Sequence, residues 1–216
     1  MYKNVIFDLD GTLLNTIDDL ADAGNWVCRR HGWPTHTVED FKYFVGNGMA
    51  RLAERFSPAD QHTPEGIQAI LEEFMPYYNA HKEDKTAPYP GIRELLERLK
   101  GEGIAMAVLS NKAHSLVPGI IEGYFPGVFR YIQGAVEGAP TKPDPTLLRR
   151  LMEEMGAAPT DTLFVGDSNV DIRTAKNGDL VSCGVLWGFR SRAELEKEGA
   201  DFIVESTRAL AELILS

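Results

Sequence analysis

Two short stretches of this chain concentrate carboxylates where chemistry would be done. One is Phe7-Asp8-Leu9-Asp10-Gly11-Thr12 and the other is Val165-Gly166-Asp167-Ser168-Asn169-Val170-Asp171. Each follows an apolar run, Val5-Ile6-Phe7 or Thr162-Leu163-Phe164-Val165, so each reads as the loop at the carboxyl end of a buried strand. A third predicted strand, Ile104 to Leu109, ends in Ser110-Asn111-Lys112, and a further polar loop holds Thr141-Lys142-Pro143-Asp144-Pro145. Ligands of open α/β sheets collect at strand carboxyl ends. If these ends share one edge, three or four carboxylates meet one lysine and one serine in a cleft.

Carboxylates gathered in one place repel unless something cationic joins them. Hard oxygen ligands without a soft one point to Mg²⁺, with Mn²⁺ as a substitute. On an extended segment, Asp8 and Asp10 can face the same side, so one can attack a substrate while the other exchanges a proton. An EF-hand is a poor rival, because its glycine belongs at loop position six and Gly11 stands at four. Singly, each group has an ordinary explanation: a turn for the Asp-x-Asp pair, a helix cap for Ser110-Asn111, a solvated surface for Lys142, helix-start acids for Asp167 and Asp171. Their placement after successive predicted strands, or in the loop between them, is what joins them.

The elements that must position these groups fall into three parts. Residues 3–15 read as a strand and its loop, and every periodic segment from about Thr16 to Asp84 is helical. Thr37-Val38-Glu39-Asp40 predicts a capping box, and Thr63-Pro64 an N-cap followed by proline at the first helical position. After the stiff Thr86-Ala87-Pro88-Tyr89-Pro90-Gly91 stretch, helices alternate with strands. Ile92, Leu95, Leu96 and Leu99 mark a helix, as do Leu147, Leu148, Leu151 and Met155; strands follow at 162–165, 181–185 and 202–204. That alternation predicts a Rossmann-like α/β core, a parallel sheet covered on both faces. The expected organisation is a core of 1–15 and 86–216 with a helical insertion over 16–85.

Composition excludes several classes. Twenty-two bases against 32 acids give a net charge of −10, and residues 16–84 alone carry 12 acids and 6 bases. Neither a nucleic-acid surface nor an anionic membrane surface fits such a balance. The longest apolar run, Ile104 to Leu109, is too short to span a membrane, and the first residues do not have the form of a signal peptide. Cys28 and Cys183 cannot form a disulfide framework, and no paired Cys/His spacing marks a zinc site. A reducing cytoplasm is the expected compartment, and a monomer or a homodimer is equally compatible.

With the DxDGT motif at Asp8–Thr12, Ser110, Lys142 and the GDxxxD motif at Gly166–Asp171 in place, the chain resembles the haloacid dehalogenase superfamily nearly end to end. It is most similar to the phosphoglycolate phosphatases of its phosphatase branch. The resemblance implies Asp8 as nucleophile, forming an aspartyl-phosphate, and Asp10 as the acid and then the base. It implies Mg²⁺ held by the Asp8 side chain, the Asp10 carbonyl and Asp167, with Asp171 as a further ligand or a support behind the ligands. Ser110 and the Asn111 amide, beside Gly11 and Thr12, would bind phosphate, and Lys142 would offset charge on nucleophile and phosphate. The dehalogenases of the superfamily lack the second aspartate, so Asp10 argues for phosphate chemistry. The helical insertion resembles the family's cap, whose Gly46-Asn47-Gly48 turn makes Asn47 and Arg51 substrate candidates, with Lys42 nearby.

The resemblance therefore implies a small phosphorylated metabolite as substrate, with 2-phosphoglycolate the leading expectation. Pyrophosphate, sugar phosphates and a catalytically silent phosphate-binding relative are the alternatives. Trp26, Trp33, Tyr77 and Tyr78 are expected in the core of the insertion, His31, His36, His62 and His81 at its surface, and Trp187-Gly188-Phe189 in packing rather than chemistry. Asn15-Thr16 departs from the Asp-Ser of many relatives.

Overall fold

The computed structural model describes residues Met1–Ser216 as two compact units, one of Met1–Leu14 with Pro88–Ser216 and one of Asn15–Ala87. In chain order, β1 (Asn4–Phe7) and the short β2 (Leu14–Asn15) precede α1 (Ile17–His31), α2 (Val38–Phe44), α3 (Met49–Phe56), α4 (Pro64–His81) and the short β3 (Ala87–Pro88). Next come α5 (Ile92–Gly101), β4 (Ala105–Ala113), α6 (Val117–Tyr124), β5 (Tyr131–Ala135) and α7 (Thr146–Met155). The chain finishes with β6 (Thr162–Gly166), α8 (Asn169–Asn177), β7 (Val181–Val185), α9 (Arg192–Lys197), β8 (Phe202–Val204) and α10 (Thr207–Leu215).

Six of the strands form one parallel sheet in the order β5-β4-β1-β6-β7-β8. The period-two alternation of β1 sends Val5 and Phe7 to one face, where Leu95 and Leu96 of α5, Ile121 of α6 and Ile214 of α10 cover them. Ile6 points the other way, with Phe164 of β6, onto Leu147, Leu148 and Leu151 of α7 and Ala175 of α8. Burial on both faces explains why these strands read as continuous apolar runs. Each such side chain contributes about 1.5–3 kcal/mol.

The sheet order reverses at β1, the topological switch point where ligands of such sheets bind. Phe7 stands opposite both Val108 and Val165, so β1, β4 and β6 bring their following residues to one edge.

α6 and β5 carry no clear signal in the sequence. β5 is an edge strand, half-buried except at Gly134, and so carries no clean alternation. Gly134 is there for space: a Cβ would lie 2.6 Å from the Lys112 carbonyl oxygen. β4 also runs on through Ser110, Asn111 and Lys112, with a register break between Leu109 and Ala113, where a loop was expected.

The helical unit follows its own local signals. The Thr37 hydroxyl accepts from Asp40 N at 3.1 Å while Thr37 N donates to Asp40 Oδ2 at 2.8 Å, closing the predicted capping box. Thr63 caps α4 by accepting from Gly66 N at 3.0 Å. The interior is an aromatic file, Phe41–Phe56–Phe74–Tyr78, with successive centroids 6.2, 5.8 and 5.6 Å apart. Gly24 admits it, since a Cβ there would sit 2.4 Å from the Phe41 ring.

Of the four aromatic residues expected in this interior, only Tyr78 is fully buried. Trp26 lies beside the buried stripe Leu20, Ala23 and Val27 of α1. It stacks on Tyr77 at 4.5 Å, with the Arg30 guanidinium over its ring. Trp33 stacks on His31 at 4.4 Å. His36 is half-buried, its Nε2 3.0 Å from the Phe56 carbonyl oxygen.

Asp19 in the first turn of α1 ties the end of this unit to its beginning. Its carboxylate is 2% exposed and accepts from Lys85 N at 3.0 Å, Thr86 N at 2.9 Å and Thr86 Oγ1 at 2.7 Å. Asp19→Ala would orphan these donors, at a cost of about 3 kcal/mol. In a Trp187→Phe background, where Trp26 and Trp33 of the helical unit are the remaining tryptophans, their fluorescence should report earlier thermal unfolding. An unchanged transition would contradict this role for Asp19.

Candidate active site

Asp8 is the first residue beyond β1, and its amide donates to the Val165 carbonyl at 2.9 Å, continuing the sheet into the site. Lys142, in the loop before α7, reaches it with Nζ 2.7 Å from Asp8 Oδ1 and also 2.7 Å from Asp171 Oδ1. The Lys142 side chain is 4% exposed. Asp171 is in the first turn of α8, where its other oxygen accepts from Ser168 N at 3.0 Å and Ser168 Oγ at 2.7 Å. The carboxylate that caps α8 thus also holds the lysine.

Asp167, at the end of β6, accepts from Phe189 N at 2.7 Å through Oδ2 and from Thr12 Oγ1 at 3.3 Å through Oδ1. One carboxylate oxygen from each of Asp8, Asp167 and Asp171 lies within 4.8 Å of the others. Glycines make the room. A Cβ on Gly11 would meet Asp167 Oδ2 at 2.5 Å, one on Gly188 would meet Asp167 Cβ at 2.2 Å, and one on Gly166 would meet Asp171 Cβ at 2.3 Å. Gly11 also sits at φ 93°, which side chains disfavour.

The strand end of β4 supplies the other side. The Lys112 amide donates to Ser110 Oγ at 3.2 Å, which leaves the serine proton available to a further acceptor. The Asn111 side chain grips the lysine loop from both directions, Nδ2 to the Lys142 carbonyl at 3.0 Å and Oδ1 from the Lys142 amide at 2.8 Å. Lys112 Nζ is 2.9 and 3.1 Å from the two oxygens of Asp10. The site therefore holds two buried lysines where the sequence reading placed one.

Its electrostatics are those of an acid cluster short of positive charge. Burial pushes the Asp8 carboxyl well above its ordinary value; Lys142 opposes this, and Asp171 and Asp167 add to it. Asp167 is pushed up to about 7 by burial and by the neighbouring Asp171, despite the Phe189 amide. For Lys142 burial alone would favour the neutral amine, but Asp171 and Asp8 more than reverse it, so it stays an ammonium.

A divalent cation fits here. The donors are oxygens only, all three carboxylates are buried and repel one another, and no protein hydrogen bond reaches Asp8 Oδ2. Asp171, with both oxygens engaged, stands behind Lys142. The cysteines are elsewhere and unreactive: both are buried, and burial pushes the Cys183 thiol up to about 12.

In the helical unit, Asn47 and Arg51 part company. Arg51 pairs with Glu54 on an exposed face. Asn47 Oδ1 instead accepts from Arg55 Nη2 at 2.9 Å, while Arg55 Nη1 donates to the Phe44 carbonyl at 2.7 Å. Arg55 was missed because a lone arginine on a helix gives no signal of the loop it grips. Lys112 was missed because a loop, rather than a strand, was expected there. Trp187-Gly188-Phe189 does more than pack: its backbone positions Asp167, and Trp187 Nε1 donates to the Thr12 carbonyl at 3.0 Å.

Comparison with known proteins gives the same placement. The profile of the haloacid dehalogenase-like hydrolases matches residues 5–185. A phosphoglycolate phosphatase of Pseudomonas putida is 32% identical over 211 residues, covering 95% of this chain and 77% of that one. One from Vibrio parahaemolyticus is 31% identical, covering 98% and 96%. A solved structure from Lactobacillus delbrueckii subsp. bulgaricus, provisionally assigned as a phosphoglycolate phosphatase, superposes with a TM-score of 0.92 at 34% identity, covering 99% and 98%. The chain belongs to the haloacid dehalogenase-like hydrolase family and is a phosphatase of it. No helix is long and apolar enough to cross a membrane.

The raised carboxyls make stability depend on pH when no cation is bound. The folded chain holds protons on Asp8 and Asp167 that the unfolded chain releases near the ordinary value of 3.8. The stabilisation is fully present below that value and is lost as pH rises through about 7 for Asp167. Chelator-treated protein should melt on the order of 5 °C lower at pH 8 than at pH 5. Mg²⁺ should restore more at pH 8, and Asp167→Asn should flatten the difference. Equal melting of chelated wild type and Asp167→Asn across this range would contradict the reading.

Proposed function

We propose that the chain is a Mg²⁺-dependent phosphatase that hydrolyses 2-phosphoglycolate through a phosphoryl group carried on Asp8. The observation that supports this most is the Lys142 ammonium held between Asp8 and Asp171 at 2.7 Å each, with Asp167 beside them. The relatives named phosphoglycolate phosphatase support the substrate.

In the first step an Asp8 oxygen attacks phosphorus, forming the acyl–phosphate bond as the ester P–O bond breaks. Asp10, two residues along, gives its proton to the departing alkoxide. In the second step water attacks the same phosphorus, Asp10 takes the water proton, and Asp8 leaves as a carboxylate. Ser110 Oγ–H and the Asn111 amide are assigned the phosphate oxygens. Lys142 favours the ionised form of Asp8 against the effect of burial and offsets the charge that gathers on the transferring group.

Asp8, Asp167 and the Asp10 carbonyl are the groups that would hold Mg²⁺, which would supply the positive charge needed for a carboxylate to approach a phosphate dianion. Thr12 and Gly11 serve Asp167, one by its hydroxyl and the other by the space it leaves. The helical unit is assigned the reading of the leaving group. In its Gly46-Asn47-Gly48 turn the Asn47 oxygen is taken by Arg55, so the side chain offers a ligand its amide donors.

Phosphate release from 2-phosphoglycolate, pyrophosphate, sugar phosphates and p-nitrophenyl phosphate, with Mg²⁺ or with EDTA, tests the proposal. 2-Phosphoglycolate should lead, EDTA should abolish turnover, and Asp8→Asn should lose ~10³-fold or more. A lead for pyrophosphate or for a sugar phosphate would replace the substrate assignment. Full turnover by Asp8→Asn would remove the covalent step.

A further inference from the structure

Lys112 has no part in the scheme above, yet its side chain is 1% exposed and its ammonium lies against both oxygens of Asp10. Lys142 divides its charge between two carboxylates, whereas Lys112 forms its ion pair with the one aspartate that must work on the leaving group. Asp10 is the more accessible partner, its side chain 13% exposed against 1% for Lys112.

A substrate whose leaving group carries its own carboxylate brings one more negative charge into a site already crowded with aspartates. It needs a cation within a few bonds of the ester oxygen. In a phosphorylated hydroxy acid of the two-carbon kind, the carboxylate is one carbon removed from the carbon bearing that oxygen. A group reaching the ester oxygen from Asp10 therefore sits close to the carboxylate as well. Lys112 is already dehydrated and already holds a carboxylate. Exchanging an Asp10 oxygen for a substrate oxygen conserves a charge-assisted hydrogen bond and adds no fresh burial cost for the ammonium.

We propose that Lys112 is the specificity-determining residue for the leaving-group carboxylate. On binding, that carboxylate takes over one of the two hydrogen bonds that Lys112 gives to Asp10, and the released Asp10 oxygen turns to the ester oxygen. The carboxylate is thus both recognised and coupled to the placement of the acid. No covalent bond changes in this exchange. The inference rests on the proposed 2-phosphoglycolate reading, and it assigns to the strand end of β4 a selection that would otherwise belong to the helical unit alone.

The test is a cycle of two enzymes and two substrates of matched shape, 2-phosphoglycolate and its uncharged amide, 2-phosphoglycolamide, measured as kcat/KM with Mg²⁺ present. Wild type should prefer the acid by about 30-fold, the scale of one charge-assisted contact in a dehydrated site. Lys112→Met should lower kcat/KM for both substrates, since Asp10 loses its partner, but should lower it for the acid about 30-fold more than for the amide, so that the preference falls to near unity. Lys112→Arg, which keeps the charge, should retain most of the preference and keeps the test open if the methionine variant folds poorly.

Equal losses on both substrates in Lys112→Met would overturn the inference and leave Lys112 as a positioning residue for Asp10. Equal use of acid and amide by Lys112→Arg would overturn it as well. A wild type that shows no preference between the pair, or does not turn over 2-phosphoglycolate, would overturn the substrate reading itself. That outcome is visible before any variant is made.

Discussion

The Lys142 ammonium between Asp8 and Asp171 is the interaction on which the rest of this site depends. Three aspartates whose oxygens approach within 4.8 Å of one another cannot be buried together as anions without a counter-charge. Lys142 supplies one such charge, and its surroundings are arranged to keep it there. Asn111 fixes its backbone in both directions, and the oxygen of Asp171 that it leaves free caps α8 through Ser168. The lysine is therefore tied to β4 on one side and to the start of α8 on the other. Removing it would leave carboxylates buried without their partner, a change expected to cost several kcal/mol and to loosen both elements.

Strain and space around this pair follow the same requirement. Asp167 is enclosed by positions where even a methyl group would collide, Gly11 from the first loop and Gly188 from the loop after β7, and Gly166 makes the same room for Asp171. The Phe189 amide and the Thr12 hydroxyl then set the direction of the Asp167 carboxylate. Loops from three strand ends thus meet on one side chain. The parallel sheet makes this possible because its order reverses at β1, so that β4 and β6 flank it, with Val108 and Val165 both opposite Phe7. The helical unit is built on other terms. It has an aromatic interior, capped helices and an Asp19 clamp that joins its last residues to its first helix.

Much of the core was legible because its signals are local and repeated. Apolar runs such as Val5-Ile6-Phe7 and Thr162–Val165 end directly in polar motifs, and that juxtaposition alone places Asp8 and Asp167 at strand ends. The capping box at Thr37 and the Thr63-Pro64 start are written in adjacent residues, and both formed as read. What escaped the sequence depends on distant partners or on backbone atoms. Lys112 looks like any surface lysine until β4 is seen to run through it. Gly188 and Phe189 act through a missing side chain and an amide, which no residue type announces. Edge strand β5, half-buried and interrupted by Gly134, lacks the alternation that marks a strand with one wet face.

In the proposed reaction the cluster lets one carboxylate, Asp8, carry a phosphoryl group. The most direct test is an acid quench during turnover of 2-phosphoglycolate with Mg²⁺, followed by digestion and mass spectrometry. One phosphoryl group on the peptide containing Asp8 is expected, with hydroxylamine sensitivity and loss of the label on a chase with unlabelled substrate. Sustained turnover with no labelled peptide, or with the label on a different residue, would contradict the account.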